Sequence, residues 1–202
     1  AIAPKCREIP IPLGATPAPA NPDATVRRYG LTYGAYVLWT NGLLRRKNLD
    51  LALAAVALLR AAGRDVTLAI AGPDRERSSQ AARALRADTA RYLGPLPHSD
   101  IAALSFAAGV VLNVSPVEGM PRAALEALAV GAKVILPPGV PEFARHCPQH
   151  VAATGSAEAL AAQIAQALDG PWPAHTYPLA AHSLDAVMPR YAETLAPDIS
   201  TG

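Results

Sequence analysis

Ser115-Pro-Val-Glu-Gly-Met-Pro-Arg-Ala-Ala-Leu-Glu126 is the stretch that decides the fold, because it leads a predicted strand into a predicted helix. Residues 110–114 before it are short and rich in β-branched side chains, which is typical of a buried strand. Residues 121–130 after it begin with proline and are followed by Gly131, as many helices are. Such a strand, turn and helix N-terminus offer free backbone N–H groups to an anion.

Two carboxylates, Glu118 and Glu126, lie at a fixed spacing within this stretch. Eight residues of helix rise about 12 Å, so the two side chains would meet different parts of one long ligand. This outline indicates a nucleotide-sugar site. Taken alone, the pair fits a solvated surface helix equally well, and the order of the surrounding motifs favours the ligand role.

The composition is that of a globular protein. Of the 202 residues, 51% are hydrophobic, which excludes wholesale disorder, and the net charge of +2 is too small to indicate nucleic acid or an acidic membrane surface. The two cysteines, Cys6 and Cys147, predict neither a disulfide framework nor a metal cluster. No apolar run reaches transmembrane length and no signal sequence is recognisable, so we expect a cytoplasmic protein and leave peripheral contact with the inner membrane face open.

Strand patterns alternate with helix patterns along the chain, which predicts an α/β fold, a Rossmann-like doubly wound parallel sheet flanked by helices. In such sheets ligands bind at the carboxyl ends of the strands, where Arg46, Lys47 and Glu118 are expected. The predicted strands are 36–40, 66–71, 91–93, 110–114, 133–136 and 151–153, and the predicted helices are 48–62, 77–87, 99–107, 121–130, 156–168 and 183–195. Asn48, Ser99 and Ser156 are the predicted helix caps.

At this point the chain resembles the C-terminal, donor-binding domain of GT-B glycosyltransferases of the large retaining family four (glycosyl transferases group 1). The resemblance covers most of the chain, and its strength lies in the order of several motifs. These motifs are Ile9-Pro-Ile-Pro-Leu-Gly14, Val37-Leu-Trp-Thr-Asn-Gly-Leu-Leu-Arg-Arg-Lys-Asn48, Leu68-Ala-Ile-Ala-Gly72, Arg91-Tyr-Leu-Gly-Pro-Leu96, the two-glutamate segment, and Gly139-Val-Pro-Glu142.

The resemblance implies a role for each matched residue. Lys47 and Arg46 would neutralise the donor diphosphate, Glu118 would accept hydrogen bonds from sugar hydroxyls, and Glu126 would accept them from the ribose diol. The further substrate-binding positions are Gly119, Met120 and Pro121 at the helix N-terminus, Leu96 and Gly94 along the base, and Gly42 in the loop after the first strand. It also implies a UDP- or GDP-sugar donor, retention of anomeric configuration, and no metal or other cofactor.

Two positions depart from the pattern of many relatives. Asn41-Gly42 stands where Gly-Arg or Gly-Thr is common, so one phosphate contact is in doubt, and the turn reads Glu-Gly-Met-Pro instead of Glu-Gly-Phe-Gly. The N-terminal acceptor domain of GT-B enzymes has no counterpart. We therefore interpret residues 1–30 as a Pro-rich interdomain linker, 31–182 as the nucleotide-sugar-binding domain, and 183–202 as a C-terminal helix and tail. The chain would be an excised half or one subunit of a split enzyme, inactive without that domain, which would be its partner.

Two other functions remain open: a GT-B sugar-nucleotide epimerase, and a non-catalytic nucleotide-binding or assembly module. Among individual residues, His146, Cys147 and His150 have ligand-like types, but Pro148 interrupts their helix and a metal site is not expected. His98 is interpreted as a polar loop residue near the base or ribose and not as an acid–base group. Trp39 is assigned to the core and Trp172 to the packing of the last connector.

Overall fold

The computed structural model describes residues 8–16, 19, 21–43, 45–74 and 89–195. Within these residues five strands pair in parallel in the order β3-β2-β1-β4-β5, which confirms the predicted doubly wound sheet. The strands are β1 (Tyr36–Trp39), β2 (Thr67–Ala71), β3 (Ala90–Gly94), β4 (Val110–Leu112) and β5 (Val134–Ile135). The chain moves outward from β1 to β3, then crosses back to place β4 on the other side of β1. The strand order therefore reverses between β1 and β4.

Seven α-helices of the described residues flank the sheet. They are α1 (Pro22–Arg28), α2 (Leu49–Ala61), α3 (His98–Ala107), α4 (Arg122–Ala129), α5 (Pro141–His146), α6 (Ala157–Asp169) and α7 (Leu184–Leu195). Short 3₁₀ turns lie at Arg45–Lys47, Pro148–His150 and Leu179–His182. Among the described residues, none of the helices combines the length and apolarity needed to cross a membrane.

The sheet separates two apolar layers, because successive side chains of a strand point to opposite faces. On one face Val37 and Trp39 of β1 pack with the buried stripes of α2 and α6. On the other face Leu38 packs with side chains of α4 and α5 and with Leu104 of α3. All four residues of β1 are buried, as expected for the central strand of a parallel sheet covered on both sides.

Several helix starts differ from the prediction by a residue or in their capping. Ser156 caps α6 as predicted, and its hydroxyl accepts from the Ala159 N–H at 3.1 Å. Asn48 precedes α2 with a left-handed backbone, φ 64°, but its side chain makes no capping hydrogen bond. Ser99 lies inside α3, whose N-cap is Pro97, and Pro121 is the N-cap of α4 and not its first residue. These corrections move boundaries and leave the order of elements unchanged.

Three other predictions change or fall outside the described residues. The predicted strand 151–153 is a single bridge between Val151 and Leu136. The motif at residues 139–142, which resembles the family's turn after the predicted strand 133–136, contains the start of α5, because Pro141 has the backbone angle that suits a first helical residue. The predicted helix 77–87, Cys6 and the tail after Leu195 lie outside the described residues.

The segment before β1 holds a helix that was not predicted. Asn21 caps α1 through its side-chain oxygen, which accepts from the Ala24 N–H at 3.2 Å. The far end of α1 is tied to α3, where Asp100 accepts from Arg28 at 2.7 Å and from the Tyr29 hydroxyl at 2.6 Å. Further upstream, Leu13 forms a parallel bridge with Ser183. Segments that precede and follow the sheet domain in the sequence thus pack onto it.

Candidate functional site

Lys47 and Glu118 form an ion pair at the point where the strand order reverses. Lys47 ends the 3₁₀ turn that follows β1, and Glu118 lies in the turn that follows β4. The Lys47 ammonium donates a hydrogen bond to Oε1 of Glu118, and both side chains are 10% exposed. Adjacent parallel strands bring their carboxyl ends to one edge of the sheet, so residues 71 positions apart meet there.

Burial makes this pair sensitive to change. Each charge loses hydration when it is taken out of water, and the opposite charge compensates for that loss only while both partners are present. An anionic ligand that approached Lys47 would compete with Glu118 for the ammonium. The pair therefore places a cation and a carboxylate within reach of one ligand.

The loop after β1 is held in place by glycine contacts that a side chain would prevent. Gly42 has φ +63°, and a Cβ built on it would lie 2.5 Å from the Pro73 carbonyl oxygen. Its N–H donates to the Ala71 carbonyl at 3.1 Å, and its carbonyl accepts from the Trp39 indole at 2.8 Å. Gly42 thus fixes the loop by close backbone packing. Arg46, on the same loop, is exposed to solvent.

Glu126 lies in α4, and two basic side chains approach its carboxylate. Nε2 of His98 is 3.4 Å from Oε2, and a terminal nitrogen of Arg122 is 3.8 Å from Oε1. His98 is the first residue of α3, so the sequence-based interpretation of it as a loop residue is wrong in position. Its contact with Glu126 was not predicted, because only the packing of α3 beside α4 brings the two together.

The turn between Glu118 and α4 is open on one side and packed on the other. Gly119 is exposed, and a Cβ added to it would have no atom within 4 Å, whereas Pro121 is buried. Met120 is half-buried, and its sulfur lies 3.7 Å from the Tyr177 hydroxyl. The N-terminus of α4 follows directly, so its backbone N–H groups and its positive dipole end lie beside Glu118.

Tyr177 connects this turn to His182 and, through His182, to Ile11 near the start of the described chain. Its hydroxyl is 2.9 Å from Nε2 of His182, and Nδ1 of His182 is 2.9 Å from the Ile11 carbonyl oxygen. Because a carbonyl only accepts, Nδ1 carries the proton and Nε2 accepts from the tyrosine. Burial, with Glu142 and Cys147 nearby, raises the pKa of Tyr177 to about 12, so the phenol stays protonated.

The segment after β3 contributes backbone groups. Gly94 has φ +74°, and its carbonyl accepts from the Gly72 N–H at 2.8 Å, which joins the ends of β2 and β3. Leu96 is half-buried and packs against the second apolar layer. His98 begins α3 two residues later, so its contact with Glu126 brings this segment to α4.

Two amides at the ends of β1 and β4 are residues that the sequence pattern does not mark as ligands. Nδ2 of Asn41 and Nδ2 of Asn113 are buried and have no hydrogen-bond partner among the described residues. The Asn113 oxygen accepts from the Ser115 N–H at 3.2 Å. In the sequence, Asn41 stands out only as a departure from the Gly-Arg pattern. In the structure, Asn41 offers an amide donor in the segment that leads from β1 to Lys47.

The ligand-like cluster of His146, Cys147 and His150 does not converge. His150 stacks on Trp172 with 5.2 Å between ring centroids, while the ring of His146 faces Tyr177 at 5.9 Å. Within the described ranges, no three His, Cys, Asp or Glu side chains are placed to hold a metal ion. These residues therefore pack the β5 side of the sheet.

Comparisons with known proteins agree with this fold. The sequence model of the family described as glycosyl transferases group 1 matches residues 33–181. A search of curated proteins found no significant match. Among solved structures, the sucrose-phosphate synthase of Thermosynechococcus elongatus superposes with a TM-score of 0.74 at 21% identity, covering 94% of this chain and 51% of that one.

Two further solved structures show the same relationship. A UDP-forming α,α-trehalose-phosphate synthase from Burkholderia xenovorans, in complex with glucose-6-phosphate, gives a TM-score of 0.71 at 16% identity, covering 93% of this chain and 51% of that one. WaaG, a glycosyltransferase of lipopolysaccharide biosynthesis, gives 0.65 at 19% identity, covering 95% and 52%. The chain spans about half the length of the structures it matches.

Proposed function

Because the chain belongs to the glycosyl transferases group 1, we propose that it is the donor-binding half of a retaining glycosyltransferase. Its donor would be a nucleoside-diphosphate sugar. The observation that carries the proposal is the Lys47–Glu118 ion pair at the reversal of strand order, with Glu126 further along the adjoining helix α4.

Lys47 would bind the donor diphosphate. Its ammonium is held at the carboxyl ends of the strands by Glu118, and an entering phosphate would take the place of that carboxylate. The N-terminus of α4 would add backbone donors, including those near Gly119 and Met120. Exposed Arg46 would approach from the solvent side, and Nδ2 of Asn41 would supply a donor next to Gly42, the position at which many relatives have arginine or threonine. The leaving diphosphate would thus be neutralised without a metal ion.

Glu118 and Glu126 would hold the two sugars of the donor. Once a phosphate takes its place beside Lys47, the Glu118 carboxylate becomes free to accept hydrogen bonds from hydroxyls of the transferred sugar. Glu126, held by His98 and Arg122, would accept from the ribose diol. The backbone from Gly94 to Leu96 would then lie along the base. These assignments place the transferred sugar at the N-terminus of α4 and the ribose further along that helix.

A second domain would bind the acceptor substrate. The relatives of known structure are about twice as long as this chain, and reaction between two substrates requires both to be held in register. The partner of this domain would be an N-terminal GT-B domain, in the same parent chain or as a separate subunit. Without it we expect donor binding and little sugar transfer. UDP is the first nucleotide to test, because one structural neighbour is UDP-forming.

Calorimetric titration of the chain with UDP, GDP, ADP and CMP tests this function. We expect one diphosphate to bind selectively, and Lys47→Ala to weaken it about tenfold or more while binding of the matching nucleoside changes less than about twofold. Glu126→Ala should weaken both ligands, since the ribose is common to them. Arg60→Ala removes a positive charge at the far end of α2 and is the matched control.

The other results have defined meanings. Binding of no nucleotide, alone or with an N-terminal domain added, would overturn the donor site and favour an assembly module. Equal losses for nucleotide and nucleoside in Lys47→Ala would remove the phosphate role. Interconversion of the donor sugar without transfer would indicate an epimerase.

A further inference from the structure

The segment that carries Lys47 lies against the turn that follows β2, at Gly72 and Pro73. The Leu43 N–H donates to the Pro73 carbonyl at 3.1 Å. Gly72 has φ +118°, and a Cβ added to it would lie 2.7 Å from the backbone nitrogen of Gly42. The two backbones are therefore in direct contact, and the position of one sets the position of the other.

Tyr92 of β3 holds this turn in place. Its hydroxyl donates to the Gly72 carbonyl at 2.9 Å, since a carbonyl only accepts. Burial and the negative charge of Asp74 raise the pKa of Tyr92, so the phenol stays protonated and remains a donor. The Gly72 N–H in turn donates to the Gly94 carbonyl at 2.8 Å. Both polar backbone groups of Gly72 are thus bonded to β3.

Two aromatic donors on one face of the sheet fix the contact between Gly42 and Gly72. The Trp39 indole donates to the Gly42 carbonyl at 2.8 Å, as the Tyr92 hydroxyl does to the carbonyl of Gly72. Both rings belong to the apolar layer that contains α2 and α6. Because the rings are packed in this layer, the two donors are held in place, and so are the carbonyls that they bind.

This turn supports the segment on which the proposed phosphate ligand lies. Lys47 follows Leu43 by four residues and ends the 3₁₀ turn of that segment. A group that binds a substrate must be held within about 0.5 Å of its productive place, and hydrogen bonds behind it provide that restraint. The Tyr92 hydroxyl acts on the Gly72 turn, and the turn acts on the loop that leads to Lys47.

We propose that Tyr92 is a positioning residue for the donor diphosphate. It acts on Lys47 through the Gly72–Pro73 turn and the loop after β1, without a contact of its own to the ligand. Phenylalanine in its place would keep the packing of the ring and remove the hydroxyl partner of the Gly72 carbonyl. This role rests on the proposed function, because the phosphate site is the same.

Calorimetric titration of Tyr92→Phe tests this role. The probes are UDP, GDP and ADP with their nucleosides. We expect the affinity for the diphosphate that binds best to fall about fivefold, and that for its nucleoside to change less than about twofold, because the loss concerns only the phosphate end. Tyr33→Phe removes an exposed hydroxyl beyond the opposite end of β1 and is the matched control, which should change neither affinity.

Proton–nitrogen NMR of the chain without ligand measures the loop directly. The chain contains only two tryptophans, Trp39 and Trp172, and the bond from the Trp39 indole to Gly42 reports the place of the loop. Tyr92→Phe should shift the Trp39 indole resonance and speed the hydrogen exchange of the Leu43 N–H. The Trp172 indole, which lies in the last connector, is the internal reference and should not shift.

The contrary results separate this role from the proposed function. An unchanged diphosphate affinity in Tyr92→Phe, together with a loss in Lys47→Ala, overturns the role of Tyr92 and leaves the proposed function standing. Equal losses for diphosphate and nucleoside also overturn it, since they mark a merely structural effect. So does a weaker affinity with unchanged Trp39 and Leu43 signals, which would mean that the hydroxyl contacts the ligand. Absence of diphosphate binding in the unsubstituted chain overturns the proposed function and the role of Tyr92 with it.

Discussion

A hydrogen bond joins Lys47 to Glu118, although the two residues lie 71 positions apart in the sequence. The pair exists because β1 and β4 are neighbours in the sheet, where Val37 pairs with Val110 and Leu38 with Val111. Its two members are a cation suited to phosphate and a carboxylate suited to hydroxyls. The ion pair therefore keeps both charges compensated in the folded domain.

Replacing one partner of the Lys47–Glu118 ion pair should destabilise the domain more than replacing both partners. Lys47→Met and Glu118→Gln each leave one buried group without its partner, and we expect each to lower the free energy of unfolding by on the order of 3 kcal/mol. The double variant should lose clearly less than the sum of the two. Urea denaturation of all four proteins measures this coupling. Additive losses would show that the two side chains do not interact in solution.

His98 should position Glu126 for the ribose. His98→Ala removes the contact at 3.4 Å and leaves Arg122 at 3.8 Å as the other basic group on the carboxylate. We expect the preference for UDP over 2′-deoxy-UDP, measured by calorimetry, to fall about two- to fivefold, as for a weak hydrogen bond. Ser99→Ala, an exposed change one residue away, is the control. An unchanged preference in His98→Ala would remove this positioning role.

Gly42→Ala should destabilise the domain strongly through two effects at one residue. Alanine at φ +63° costs about 1–2 kcal/mol, and its Cβ would lie 2.5 Å from the Pro73 carbonyl oxygen. Gly131→Ala is a matched control, since Gly131 has φ +77° with nothing within 4 Å of the added Cβ. Thermal unfolding should show the larger loss for Gly42→Ala. Equal losses would mean that the loop relaxes away from Pro73.

Acid should destabilise the fold through His150. Its pKa is lowered in the folded state by burial and by nearby His175, so below pH 6.5, the ordinary value, the unfolded chain binds the proton more readily. Stability contributed by the neutral ring is present above pH 6.5 and is lost as pH falls through the lowered pKa. His150→Gln should flatten this part of the pH profile of unfolding free energy. A parallel profile in the variant would assign the pH dependence to other groups.

The class of fold could be predicted from the sequence because its signals are local. Apolar runs such as residues 66–71 and 110–114 predicted strands close to their observed positions, and the alternation with helices indicated the parallel sheet. Helix α1 was missed because its surroundings are rich in proline, although Asn21 and Pro22 are suitable start residues. The cap at Ser99 was misplaced because Pro97 already has the extended backbone that precedes α3.

The sequence by itself determined the residue types of the site and the element on which each lies. Glu118 and Glu126 flank a turn and a helix N-terminus by covalent spacing alone, and Lys47 follows β1 for the same reason. Strand order, by contrast, depends on which apolar faces pack together across the whole domain. Only the tertiary structure paired Lys47 with Glu118 and His98 with Glu126, and only it set the Tyr92 hydroxyl against the Gly72 carbonyl. Contacts between distant residues come from burial of the two apolar layers, which local periodicity does not encode.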